Sequence, residues 1–146
     1  MRIGELARRA GVEAQTIRYY EREGLLDPPA RTASGYRAYG PAHLERLQFV
    51  RHCRSLDIPI ADIRRLLVLS RDARVPCDEV NRMVEAHLER VRAKRAALEM
   101  LERQLAALRT QCESGHRIAD CGILEELIAA GRGEACACHA AQALRR

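Results

Sequence analysis

Between Pro76 and Gly115 the chain carries neither proline nor glycine, and across that stretch apolar residues return at every seventh position. One row runs Cys77, Val84, Val91, Leu98, Leu105, Cys112, and a companion row runs Val80, His87, Lys94, Leu101, Leu108. A seven-residue recurrence keeps one stripe of a helix facing another helix, so the spacing predicts a coiled-coil helix over 76–111. Left alone, that helix would hold its valines and leucines in water, and a partner helix is required. His87 and Lys94 interrupt the companion row, which favours specific pairing over maximal stability.

The same row sets a constraint on the cysteines at its two ends. Thirty-five positions separate Cys77 from Cys112, and at about 1.5 Å per helical residue that is on the order of 50 Å. The two thiols cannot share an ion within one chain. An antiparallel pairing of two identical helices sets Cys77 of one against Cys112 of the other, and two-fold symmetry produces the arrangement twice. Cys121, nine residues further on a glycine-containing loop, can fold back to offer a third thiolate. Three thiolates suit soft or borderline divalent ions. Copper(I) would be content with two, while zinc would need a fourth ligand, for which His116 or water is the candidate. Cys77 follows Pro76 at a helix start, where the positive end of the dipole favours thiolate. The competing reading makes Cys77 and Cys112 small apolar seam residues, but it does not account for both ends of one row together with a loop cysteine.

The other candidate ligands have two readings each. His87 is either an accessory ligand or a tolerated polar seam residue. Cys136, Cys138 and His139 form a C-x-C-H tail that either captures soft metal as an accessory site or has no role. Cys53 shares a helix face with Leu47 and Val50 and is assigned to core packing.

Ahead of the long helix the chain is basic. Of a net charge of +5, the whole excess lies in residues 1–74, with 14 Arg against 9 Asp and Glu, and every aromatic residue (Tyr19, Tyr20, Tyr36, Tyr39, Phe49) lies there too. Arginine interleaved with tyrosine points to phosphate contact. Apolar spacing predicts a helix over Ile3–Ala10, a turn at Gly11, and a second helix over about Glu13–Glu23 with Ile17 and Tyr20 inward. Gln15, Thr16, Arg18 and Tyr19 are then free for other contacts, which is the helix-turn-helix pattern. Asp27-Pro28-Pro29 ends the helix, and Arg31–Tyr39 alternates about Ser34-Gly35 as a hairpin wing would. Pro41 and Pro59 each open a further helix, and a short helix is expected over about Ile123–Ala130, stopped by Gly131.

The expected fold class is thus mainly α. A winged helix-turn-helix DNA-binding domain with a small β-hairpin wing covers 1–72, an antiparallel coiled-coil dimerisation helix 76–111, a metal-binding loop with a short helix 112–131, and a flexible Cys/His tail 132–146. Met1–Val12 does not read as an export leader, and no segment approaches the roughly 20 apolar residues of a membrane span. A cytoplasmic protein with reduced thiols and no membrane partner is expected.

The segments IGELARRAGVEAQTIRYYEREGLL, RTASGYRAY and RHCRSLDIPIADIRRLL resemble the MerR family of bacterial transcription activators, and the likeness extends over nearly the whole chain. It implies that Arg18 and Tyr20 of the second helix, Arg31, Tyr36 and Arg37 of the wing, and Arg54 contact operator DNA; for Tyr20, packing inside the head is the rival reading. It also implies a homodimer on double-stranded promoter DNA, acting with RNA polymerase. The Cys77, Cys112, Cys121 set resembles the metal-sensing branch, where copper and gold sensors usually carry Ser at the position of Cys77, so a divalent ion is implied. PCDEVN, VEAHLERV and CGILEELI resemble cadmium- and lead-responsive regulators, although the cysteine many of these carry near Gly11 or Val12 is missing. Glu113 stands where zinc sensors have a second cysteine, and mercury sensors share the three-cysteine pattern. Zinc(II) or mercury(II) response is the nearest alternative, followed by a thiol redox-sensing DNA-binding regulator. An enzyme is not expected, since no Cys, His and carboxylate arrangement falls on a catalytic scaffold.

Overall fold

The structure is a computed structural model that describes residues 1–113 and 115–136. In chain order its elements are α1 (Ile3–Ala10), α2 (Ala14–Arg22), β1 (Ala30–Arg31), β2 (Arg37–Ala38), α3 (Pro41–Ser55), α4 (Ile60–Leu69), α5 (Asp78–Arg109), a 3-10 turn (Ile118–Asp120) and α6 (Gly122–Gly131). The fold is mainly helical with one two-stranded antiparallel hairpin. Two compact units are present, Met1–Glu85 and Ala86–Arg146.

In the first unit α1 and α2 are joined by Gly11, whose φ of 67° is left-handed. Two requirements meet at this glycine. A side chain there would be strained by the backbone angle, and it would also collide with the Arg51 guanidinium. Arg51 Nη1 reaches the Ala10 carbonyl at 3.1 Å, so a cation from α3 caps the negative end of α1. Leu6 and Ala10 of α1, Ile17 and Tyr20 of α2, Leu47, Val50 and Cys53 of α3, and Ile63 of α4 close one apolar core. Leu25 and Leu26 are buried in it as well, although they follow α2 and belong to no periodic run.

The wing pairs Ala30 with Ala38 and Arg31 with Arg37, and Gly35 turns it at φ 81°. Its return end is tied to the chain start. The Met1 ammonium donates to the Tyr39 carbonyl at 2.7 Å, and the Tyr39 N–H donates to the Met1 carbonyl at 2.9 Å. The Tyr39 ring is buried, and its hydroxyl donates to Glu21 Oε1 at 2.6 Å, which fixes the wing against α2. α3 opens with Pro41 as its first residue, and the His43 ring accepts the Gly40 N–H at 3.1 Å. Pro59 does not open α4 in the same way. It stands one residue outside, extended at ψ 149°, while its carbonyl accepts the Ile63 N–H.

α5 runs unbroken for 32 residues. Its first turn begins on the Cys77 carbonyl, which accepts the Asn81 N–H at 2.9 Å. Val84, Val91, Leu98 and Leu105, the central residues of the cysteine row, are all exposed, Leu98 to 64%. In the second unit α6 includes Gly131 as its last residue, and the left-handed residue that ends the turn is Gly133, φ 86°. The stop therefore lies two residues beyond the expected one. Among the described residues no helix is long and apolar enough to cross a membrane.

Burial first, then the hydrogen bond to Glu21 and its negative charge, pushes the Tyr39 hydroxyl up to about 12. An acid raised in this way holds its proton more tightly in the folded protein. Its contribution is whole below the ordinary tyrosine value near 10 and fades as pH climbs from about 10 to about 12. Tyr39→Phe is expected to cost about 1.5–3 kcal/mol in urea unfolding at pH 7. The difference between wild type and variant should shrink above pH 10; a constant difference from pH 7 to 12 would remove Glu21 as its cause.

Candidate DNA-contact cleft and thiol pair

Two groups of side chains carry chemistry, one in each unit. In the first, the residue before α1, the exposed side of α2 and both strands of the wing enclose a cleft of about 260 Å³. Arg2, Arg18, Arg31, Tyr36 and Arg37 line it. Four guanidinium groups repel one another, so such a cleft is held open by the scaffold and gains most from an anion placed among them. Arg2 is aligned by the wing, with its guanidinium 5.3 Å from the centre of the Tyr36 ring. One counterweight is present: Glu21 lies 3.9 Å from Arg37 Nε.

The structure thus brings together Arg18, Arg31, Tyr36 and Arg37 as expected and adds Arg2. Periodicity cannot find a residue that precedes the first helix, and its signal was only a positive charge next to a basic head. Gln15 is exposed and Thr16 half-buried on α2. Tyr20, 7% exposed, packs in the core with Ile17, three residues away on one helix face, which is the rival reading given for it above. Tyr19 presents its ring at the surface instead, with Arg22 6.0 Å above it. Arg54 is exposed, and its Nη1 donates to the Ile58 carbonyl at 2.8 Å, closing the turn after α3.

In the second unit the chain turns back between Cys112, just past α5, and Cys121, which caps the start of α6. Gly122 permits the return. Any side chain at this position would run into the backbone carbonyl of Gln111. The two thiols face each other with unequal proton affinity. Backbone N–H groups at the start of α6, Leu124 foremost, draw Cys121 below the usual thiol range, with Cys112 and Ile123 adding to the effect. Burial first, then the facing Cys121, pushes Cys112 up. Of the two, Cys121 gives up its proton more readily and Cys112 holds its own more tightly. The Cys112 thiol also reaches the Glu113 carbonyl at 3.4 Å.

Cys77 is exposed at the start of α5. Among the described residues no group of three Cys, His, Asp or Glu side chains of the one chain comes close enough to hold an ion. His116 is exposed, and His87 is half-buried on α5. Cys136 is buried and disulfide-bonded, so in this form its thiolate is not offered to a metal. Cys138 and His139 lie outside the described residues. Cys53 packs in the core as expected, its thiol pushed up by burial.

Two measurements check these sites. Arg2→Ala is expected to weaken binding to a promoter fragment and to reduce the slope of log affinity against log salt by about one; an unchanged slope would remove Arg2 from the phosphate contacts. Gly122→Ala should separate Cys112 from Cys121, seen by peptide mass spectrometry as a several-fold lower yield of their disulfide under diamide than in wild type.

Residues 1–68 match the family model described as MerR HTH family regulatory protein, and residues 44–108 match that described as MerR, DNA binding. The HTH-type transcriptional regulator ZntR homolog of Haemophilus influenzae is 40% identical over 78% of this chain and 84% of its own length. The mercuric resistance operon regulatory protein of Bacillus cereus is 38% identical over 87% of this chain and 96% of its own. Among solved structures, the transcription regulator PbrR691 from Ralstonia metallidurans in complex with lead(II) aligns with a TM-score of 0.77 at 46% identity, covering 87% of this chain and 98% of that one. A conserved architecture at this identity and coverage leaves one assignment: the chain belongs to the MerR family of helix-turn-helix regulatory proteins.

Proposed function

We propose that this regulator responds to a divalent soft metal ion, cadmium(II) or lead(II) before zinc(II) or mercury(II), held by Cys77 of one chain and by Cys112 and Cys121 of a second. The observation that carries the reading is the folded-back pair Cys112 and Cys121, a two-thiol half-site with the third thiol exposed elsewhere on the same chain. An exposed apolar stripe on α5 supplies the reason for a second copy, and an antiparallel one supplies the missing ligand. The donor set fits the ion: three sulfurs, one already favoured as thiolate by α6, form a soft site of low coordination number. When bound, such an ion supplies a fixed positive centre that draws the three thiolates together and displaces their protons.

Two of the relatives are named for soft divalent ions, one for mercuric resistance and one for its complex with lead(II), which supports a soft metal as effector. Cys77 argues against copper, and Glu113 after Cys112 leaves the second ligand position typical of zinc sensors unfilled. The dimer sits on promoter DNA through the arginine cleft of each head with or without metal. Closure at the ends of the coiled coil resets the heads, and the DNA is distorted into a form that RNA polymerase can use.

The cross-chain site has a distinctive test. Homodimers of Cys77→Ser and of Cys112→Ser should each lose high-affinity cadmium binding. A mixed dimer of the two contains one broken and one complete site, and should recover about one ion per dimer by mass spectrometry under native conditions. Absence of recovery would place the ligands within one chain. A promoter-reporter series across the four ions, with Cys77→Ser as control, then ranks selectivity; cadmium and lead should induce at the lowest concentrations.

A further inference from the structure

Two adjacent arginines of α4 grip opposite neighbours. Arg65 makes a two-pronged bond to Glu79 in the first turn of α5, Nε to Oε1 at 2.6 Å and Nη2 to Oε2 at 2.9 Å. Glu79 lies two residues past Cys77, and the backbone of that turn hangs on the Cys77 carbonyl. Arg64 turns the other way and closes on the end of α2, with Nε at 2.9 Å from the Glu23 carbonyl and Nη2 at 3.0 Å from its carboxylate. Glu23 caps the helix that carries Arg18. Consecutive residues on a helix point about 100° apart, so one short rod can hold both partners at once.

Between these two grips α4 is anchored, since Ile63 and Leu67 are buried in the core. A planar guanidinium bound through two nitrogens fixes orientation as well as distance, which a single-point contact does not. Such pairs at an exposed surface add little to folding. Their placement is more telling, because the chain of contacts Cys77 turn, Glu79, Arg65, Arg64, Glu23, α2 lies wholly inside the first unit.

We infer that Arg65 and Arg64 are positioning residues that carry a displacement of the Cys77 turn to α2, so that ligation of Cys77 re-aims the helix that contacts DNA. This rests on the metal-responsive reading above. Neither arginine touches the ion or the DNA cleft; each acts through the helix end it holds.

The test uses the full-length dimer, cadmium(II), and a promoter fragment with 2-aminopurine at its centre, between the stretches the two heads occupy. Arg65→Gln is expected to keep cadmium affinity and metal-free promoter affinity within about twofold of wild type, as loss of an exposed pair should. The cadmium-induced rise in 2-aminopurine fluorescence and in run-off transcription should fall by about fivefold or more, the lower end of ordinary coupling between sites. Arg64→Gln should show the same signature, and the exchange Arg65→Glu with Glu79→Arg should restore at least part of the response. Full response in Arg65→Gln overturns the relay while leaving the metal reading intact. A drop of about tenfold in either affinity makes the pair structural and overturns it too. If wild type itself shows no cadmium response, the functional reading falls and the relay falls with it.

Discussion

A stripe of valine and leucine on α5 that one chain cannot cover governs the rest of the architecture. Core residues of a small domain find partners among their own neighbours, as Leu6, Ile17, Leu47 and Ile63 do here. Val84, Val91, Leu98 and Leu105, spaced along a helix of 32 residues, are each left 44–64% exposed by the described residues. Apolar area of this extent is stable in water only against a matching surface, and a second copy of the same helix is a matching surface by construction. The requirement for a partner thus follows from periodicity before any question of ligand arises.

Electrostatics divides the labour between the two units. In the head, arginines from three separated stretches of chain are assembled around one cleft, where their like charges repel. The pinning of the wing to Met1 and Glu21 provides the rigidity that keeps them there. Beyond α5 the polarity is reversed. The start of α6 offers backbone N–H groups to a sulfur, and these, with the helix dipole, favour negative charge at Cys121. A sulfur whose proton is loosened in this way, beside a second thiol that holds its own more tightly, is the asymmetry the pair carries.

Periodic features were legible in the sequence, and chance meetings in space were not. α1 occupies the residues its apolar spacing predicts, the wing turns at Ser34-Gly35, and Cys53 is buried on the face it shares with Leu47 and Val50, because each depends on neighbours within one or two turns. Leu25 and Leu26 escaped notice since their burial comes from the chain path after α2. Arg2 escaped because its role depends on a wing residue more than thirty positions away. Tyr20 was ambiguous for a physical reason: a tyrosine carries both a large apolar ring and a polar tip, and only the packed helix face decides which is spent. For Cys112 and Cys121 the spacing allowed a return but did not compel it. What permits it is Gly122, where the absence of a side chain lets α6 begin against the Gln111 carbonyl, a close approach that nothing in composition announces.

The arginines of α4 show why stability and signal must be argued separately. Core burial would hold α4 in place with any residues at positions 64 and 65, so the folding energy of the head is nearly blind to them. The segment 70–77 between α4 and α5 is itself hydrogen-bonded, the Val75 N–H donating to the Asp72 carbonyl and the Arg74 N–H to Asp72 Oδ1. To it the guanidinium fork from Arg65 to Glu79 adds a direct tie between the two helices, and in the proposed relay the contact from Arg64 to Glu23 hands the displacement across α4 to the C-terminus of α2. Contacts that contribute little to the free energy of folding can in this way carry most of the free energy of coupling, since coupling depends on differences between two states and not on the depth of either.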